Sequence, residues 1–259
     1  MNEYLRHVNK IEFVITYACT GKCKHCSEGD HALCSEHIDG EKAADAVKKI
    51  CALYPIETVM TFGGEPLLYP EAVYPIHAAA RAMGVKKRQV ITNGYFSKDP
   101  QKITEVAEGL SACEVNDILL SVDAFHQETI PIEPVMHFAL EVQKQNIPIY
   151  LSPAWLVSRE DDNPYNEKTR KILASFEDLG IAAKEGNVVF CEGNAALLLK
   201  EYFQNEIPQN PYVQNPYDID CLSLEPDGSL LGESIYKKDM IEILNQYKPE
   251  RNMCYEPGK

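Results

Sequence analysis

Between residues 11 and 190 the chain alternates strand-like runs with segments of helical periodicity, and this order restricts the fold more than any other feature. Strand-like runs fall at 11–17, 56–62, 89–92, 118–122, 147–152 and 187–190; apolar residues recur at helical spacing in 41–53, 71–83, 101–110, 134–145 and 166–179. Asp39-Gly40 suits the cap of the first helix, and Gly84 and Gly180 suit the ends of two others. Strand–helix units of this size imply parallel strands joined by right-handed crossovers. Six units are too few for an eight-fold closed barrel. The expected fold class is α/β: a partial (β/α)6 barrel over residues 1–206, with ligands at the carboxyl ends of its strands. From residue 207 the sequence turns to IPQNPYVQNPYDID, rich in proline, asparagine and tyrosine, as in an extended linker. The rest of 207–259 reads as a small extension: a hairpin at 221–231 turning at Asp227-Gly228, then a short helix at 238–247.

The unusual residues sort to the strand ends. Cys19, Cys23 and Cys26 follow the first run, Gly63-Gly64-Glu65-Pro66 the second, Asn93-Gly94 the third and Asp123-Ala124-Phe125-His126 the fourth. Ser152-Pro153-Ala154-Trp155, with the single tryptophan, follows the fifth. Three thiols on one loop read in two ways. Three thiolates leave one corner of a four-iron cluster open to a small molecule, as a catalytic zinc site keeps one position free. Alternatively, Cys23 and Cys26 join Cys34 and His37 in a structural zinc site of a non-enzymatic binding protein. The GGEP turn favours the first reading, because paired glycines at a strand end let backbone approach a ligand closely, and a zinc staple has no use for them.

Composition narrows the setting. Nine cysteines, three in one loop, suit metal ligation in a reducing compartment. The first residues are polar and of mixed charge, and no apolar run approaches a membrane span, so the expected location is cytoplasmic with no membrane contact. A net charge of −14 argues against a general nucleic-acid surface, and the local Lys86-Lys87-Arg88 run, at the entry end of the third strand, reads as a solvated turn.

ITYACTGKCKHC, followed by TFGGEPLLYP and ITNGY in this order, resembles the radical S-adenosylmethionine (SAM) superfamily over roughly residues 11 to 155. The resemblance implies that Cys19, Cys23 and Cys26 hold one [4Fe–4S] cluster whose open iron is chelated by SAM. It implies that backbone groups of Gly63, Gly64 and Glu65 meet the methionine end of SAM. Asn93, Ser121 and Asp123 would lie near the ribose and adenosyl parts. Reductive cleavage of SAM would then give a 5′-deoxyadenosyl radical that abstracts hydrogen from a substrate, with a flavodoxin- or ferredoxin-type protein as electron donor. His126 is the candidate catalytic residue, placed to contact substrate or move a proton. CLSLEPDGSLL resembles the start of the SPASM or twitch extension of radical SAM enzymes that modify peptides and proteins. The cysteine expected after Pro226-Asp227-Gly228 is replaced by Leu231-Gly232, so Cys191, Cys221 and Cys254 are too scattered for a second cluster and the extension reads as reduced. The implied substrate is a peptide or protein side chain. Activation of a glycyl-radical enzyme and the processing of a small-molecule metabolite or cofactor precursor are the alternatives.

Overall fold

Residues 2–29, 34–203 and 207–250 are described by a computed structural model. Its backbone follows the alternation: β1 (Lys10–Val14), α1 (Gly40–Cys51), β2 (Thr58–Phe62), α2 (Pro70–Ala82), β3 (Lys87–Thr92), α3 (Pro100–Ala112), β4 (Asp117–Leu120), α4 (Ile132–Lys144) and β5 (Ile149–Leu151). β6 (Ala154–Trp155), α5 (Pro164–Glu177), β7 (Asn187–Val188) and α6 (Gly193–Leu198) complete the barrel region. After them come β8 (Cys221–Leu224), β9 (Ser229–Leu230), β10 (Glu233–Ser234) and α7 (Met240–Gln246). Helix starts are set by side chains that satisfy open backbone donors: Asp39 caps α1, Asp99 caps α3 and Asn163 caps α5.

The main sheet runs β5-β4-β3-β2-β1-β8, and every pair in it is parallel. The sixth barrel strand lies where the sequence places it, beside the fifth, but Pro153 breaks the ladder. Leu151 donates to Ala182 (3.0 Å), Lys184 to Leu151 (2.9 Å), Asn187 to Pro153 (2.9 Å) and Val189 to Trp155 (2.9 Å). Only β6 and β7 remain as a regular two-stranded piece. The sheet is open, and α-helices cover one face. Phe13, Val59, Val90, Ile118 and Leu151 carry the buried side chains that meet them.

Two expectations need correction. The segment 221–231 bonds across its turn, Glu225 N donating to Ser229 O (3.0 Å), but forms no regular hairpin ladder: β8 lies parallel on the free edge of β1, with Lys10 opposite Cys221 and Phe13 opposite Leu224. Alternating burial in CLSL fits an edge strand of either direction, and β1 would otherwise expose an unpaired edge. The Pro226-Asp227-Gly228 turn exists, with Gly228 donating to Glu225 (2.9 Å), and a separate hairpin joins β9 and β10. The basic run lies at the entry end of the third strand, as expected, but only Lys86 is in an exposed bend. Lys87 and Arg88 begin β3, where Lys87 meets Asp117 (3.1 Å) and Arg88 donates to the carbonyls of Glu114 and Val85.

A buried polar pair ties α2 to the sheet: His77 Nε2 lies 2.9 Å from Thr61 Oγ1, and both residues are fully buried. Burial pushes His77 down to about 3. The unfolded chain takes up that proton near the ordinary value of about 6.5, so acidification below it favours unfolding until the folded form also titrates. We expect a loss of about 1.4 kcal/mol per pH unit from this group in the window below pH ~6. Urea titrations above and within that window should show a smaller acid sensitivity in the Thr61→Val/His77→Leu double variant, whose pair carries no titrating group.

Candidate active site

The cysteine loop leaves β1 at the carboxyl rim and is gripped from three sides. The first grip comes from the GGEP turn at the end of β2. Gly64 N–H donates to Thr16 O and Glu65 N–H to Ala18 O, each at 2.8 Å. The approach is close enough to require glycine: a Cβ on Gly64 would lie 2.3 Å from Ala18 O, and one on Gly63, whose φ is 141°, would lie 2.4 Å from Thr16 O. These two N–H groups are therefore taken by the loop.

The Glu65 side chain is fully buried and closes the turn. Its Oε1 accepts from Leu67 N (2.9 Å) and Thr92 Oγ1 (2.7 Å), and its Oε2 accepts from Asn93 N (2.8 Å). Burial pushes its pKa up to about 7 against the pull of these three donors. Glu65 thus joins the ends of β2 and β3 and orients Asn93. Asn93 Nδ2 reaches Cys19 Sγ (3.5 Å) and Thr20 Oγ1 (3.3 Å), while its Oδ1 accepts from Tyr95 N (2.8 Å).

The second grip is the loop after β4. Lys22 N donates to Thr129 Oγ1 (3.0 Å), Lys24 meets Glu128 (3.2 Å), and the His25 ring lies against Phe125 and His126, each at 4.8 Å between centroids. Ser121, half-buried at the rim, donates its N–H to Thr92 O (2.8 Å). Asp123 is fully buried and turned inward. Its Oδ1 accepts from the N–H groups of Phe125 (2.9 Å) and His126 (3.0 Å); its Oδ2 accepts from His126 Nδ1 (2.8 Å) and Ala154 N (3.0 Å). Burial pushes this carboxyl up, but His126, His25 and the backbone donors outweigh it and leave it well below the usual range. Four donors fill the carboxylate, His126 Nδ1 among them. With Nδ1–H held there, His126 presents Nε2.

The third grip had no sequence signal. Asn194, at the start of α6, donates its N–H to Cys26 O (2.8 Å) and its Nδ2 to Cys23 O (3.1 Å). Gly193 permits the contact, since a Cβ there would lie 2.2 Å from Ser27 O. A lone Asn far along the chain carries no pattern that points to the loop. Asn194→Ala should weaken the loop by about 0.5–1.5 kcal/mol through loss of the Nδ2 hydrogen bonds to the carbonyls of Cys23 and Gly29. Hydrogen exchange should report it as faster exchange at residues 23–29, with unchanged exchange in α3.

The thiols fit a metal cluster. None of Cys19, Cys23 and Cys26 is in a disulfide. Burial pushes Cys19 up to about 11 and also raises Cys23 and Cys26; Cys26 further raises Cys19, and both raise Cys23. Backbone N–H groups point at two of the sulfurs: Gly21 at Cys19 (3.4 Å), and Glu28 and Gly29 at Cys26. Neighbouring thiols with raised pKa values, two of them facing backbone N–H groups, are groups that exchange their protons for metal. The rival zinc set does not assemble. Cys34 is exposed, and His37 bonds to Ile38 O (3.0 Å) and stacks on Tyr69 (4.2 Å). Cys191 lies near Cys23 and Cys26, whereas Cys221 sits at the opposite, amino end of the strands; Cys254 is outside the described residues. Trp155 is structural, buried with its Nε1 donating to Glu185 O (2.6 Å).

The description "Radical SAM superfamily" belongs to the family model that matches residues 13–148. Among solved structures, the chain is similar to Streptococcus suis SuiB bound to S-adenosylmethionine. The TM-score is 0.59 and the identity 11%, over 93% of this chain and 66% of that one. SuiB bound to its precursor peptide SuiA gives 0.57 at 10% identity, over 93% and 65%. Native anSMEcpe with bound AdoMet gives 0.55 at 14% identity, over 90% and 76%. The chain thus spans just under two thirds of the length of SuiB, and at these identities the likeness is one of fold. No curated protein matches it in sequence. Motif and family model coincide over more than half of its length: this chain belongs to the radical SAM superfamily, enzymes that work with a [4Fe–4S] cluster and S-adenosylmethionine.

Proposed function

We propose that this radical SAM enzyme acts on a peptide or protein side chain, with Cys19, Cys23 and Cys26 as the cluster ligands. The observation that carries the reading is three neighbouring thiols, Cys23 buried and Cys19 and Cys26 half-buried, on a loop joined to the GGEP turn at the carboxyl rim of the sheet. Cys19, Cys23 and Cys26 would hold the cluster, which would provide the one-electron reduction that cleaves the S–C5′ bond of SAM, the hard chemistry that a cofactor carries. The chain's own residues bind and orient. Asn93 supports Cys19, and the rim backbone of Gly63, Gly64 and Glu65 meets the amino-acid end of SAM. Asn93 and Ser121 lie toward its nucleoside. His126, fixed by Asp123, faces the substrate or holds a proton at Nε2.

A peptide substrate is supported by the fold shared with SuiB, whose complex contains the precursor peptide SuiA. No helix among the described residues is long and apolar enough to cross a membrane. We place the enzyme in the reducing cytoplasm, where a flavodoxin- or ferredoxin-type protein would supply the electron. The test is anaerobic turnover with SAM and reductant in the presence of peptide pools or of free amino acids and other small metabolites. Peptides should stimulate release of 5′-deoxyadenosine and gain a mass change. Stimulation by small molecules alone would overturn the peptide assignment.

A further inference from the structure

Cys23, His25 and His126 each bring one ligand atom to within 4.8 Å of the other two. Small side-chain rotations would place all three on one ion at the bond lengths of about 2.0–2.3 Å that zinc takes with nitrogen and sulfur. Two further features suit an ion. His25 Nδ1 is buried without a hydrogen-bond partner. His126 Nδ1 is held by the Asp123 carboxylate at 2.8 Å, the outer arrangement that orients a metal-binding imidazole and leaves Nε2 to ligate.

We propose that the cluster-free chain binds a single Zn2+ through Cys23 Sγ, a ring nitrogen of His25 and His126 Nε2, with Asp123 as the supporting carboxylate. The thiol proton of Cys23 passes to solvent on binding, and a water completes the coordination. Because Cys23 also serves the cluster, zinc occupancy and iron–sulfur loading exclude each other. This second consequence rests on the functional reading above; the zinc site does not.

The experiment uses the full chain, stripped by chelator and kept anaerobic and reduced, titrated with Co2+ as a spectroscopic stand-in and then with Zn2+. A thiolate-to-cobalt charge-transfer band should appear and be displaced by Zn2+. His25→Ala and His126→Ala should each weaken binding at least a hundredfold, and Asp123→Asn by about 10–100-fold. Cys34→Ala and His37→Ala should bind as the wild type does. Far-UV circular dichroism checks that each variant folds. Zn2+ added first should suppress later incorporation of iron and sulfide in the wild type. Suppression should fade in His126→Ala, judged against the same variant without zinc. Equal loss in Cys34→Ala or His37→Ala, or wild-type affinity no better than that of a His25→Ala/His126→Ala double variant, would overturn the site. Full iron and sulfide uptake beside bound zinc would overturn the exclusion. Failure to take up iron and sulfide under any condition would sink the functional reading and leave the zinc site standing.

Discussion

Gly64→Ala is expected to detach the cysteine loop and leave a chain that folds but does not retain iron. The new Cβ would fall 2.3 Å from Ala18 O and 2.6 Å from Tyr17 O, both backbone atoms that cannot turn aside. Forcing an extra carbon into such a contact costs about 1–3 kcal/mol. Separating the strands to relieve it strains two hydrogen bonds, each worth about 1 kcal/mol. Both act on the first residues of the loop. Thermal denaturation should show a lowered midpoint, and reconstitution with iron and sulfide should yield colour that is lost on desalting. A Gly64→Ala chain with wild-type iron content would mean that the turn does not position the loop.

Cys26→Ala should abolish reductant-dependent release of 5′-deoxyadenosine, whereas Cys34→Ala should leave it intact. Two thiolates hold a cluster poorly, because each thiolate secures one iron. Cys26 also receives the N–H groups of Glu28 and Gly29 and the Asn194 clasp on its carbonyl, so the loop is shaped around it. Cys34 is exposed and takes no part in that arrangement. Chromatographic assay of 5′-deoxyadenosine, with SAM and dithionite under argon, separates the two variants. Loss in both, with the fold preserved, would place Cys34 among the ligands.

Much of this was legible in the residues because the signals are local. Alternating strand and helix periods specify parallel crossovers, and once strands are parallel their carboxyl ends share one rim; Cys19, Gly63, Asn93 and Asp123 therefore meet. Long-range partnership was less accessible. The alternation in CLSL marks a strand but not its neighbour, so the pairing of β8 with β1 could not be read. Asn194 is one polar residue at the start of a six-residue helix, and its link to Cys23 and Cys26 exists only through folding. Side-chain roles were also concealed. The sequence marks Asp123 as a strand-end residue but not the four donors that occupy its carboxylate, and it marks the backbone of Glu65 but not the side chain that joins two strands. His25 is a spacer in the cysteine motif until Phe125 and His126 are packed against it.

The most direct test of the account is the metal content of the wild-type chain, stripped by chelator, reconstituted anaerobically with iron and sulfide and then desalted. A cluster on Cys19, Cys23 and Cys26 predicts about four irons and four sulfides per chain. A chain that rejects iron and sulfide under these conditions, and takes up only one zinc, would contradict it.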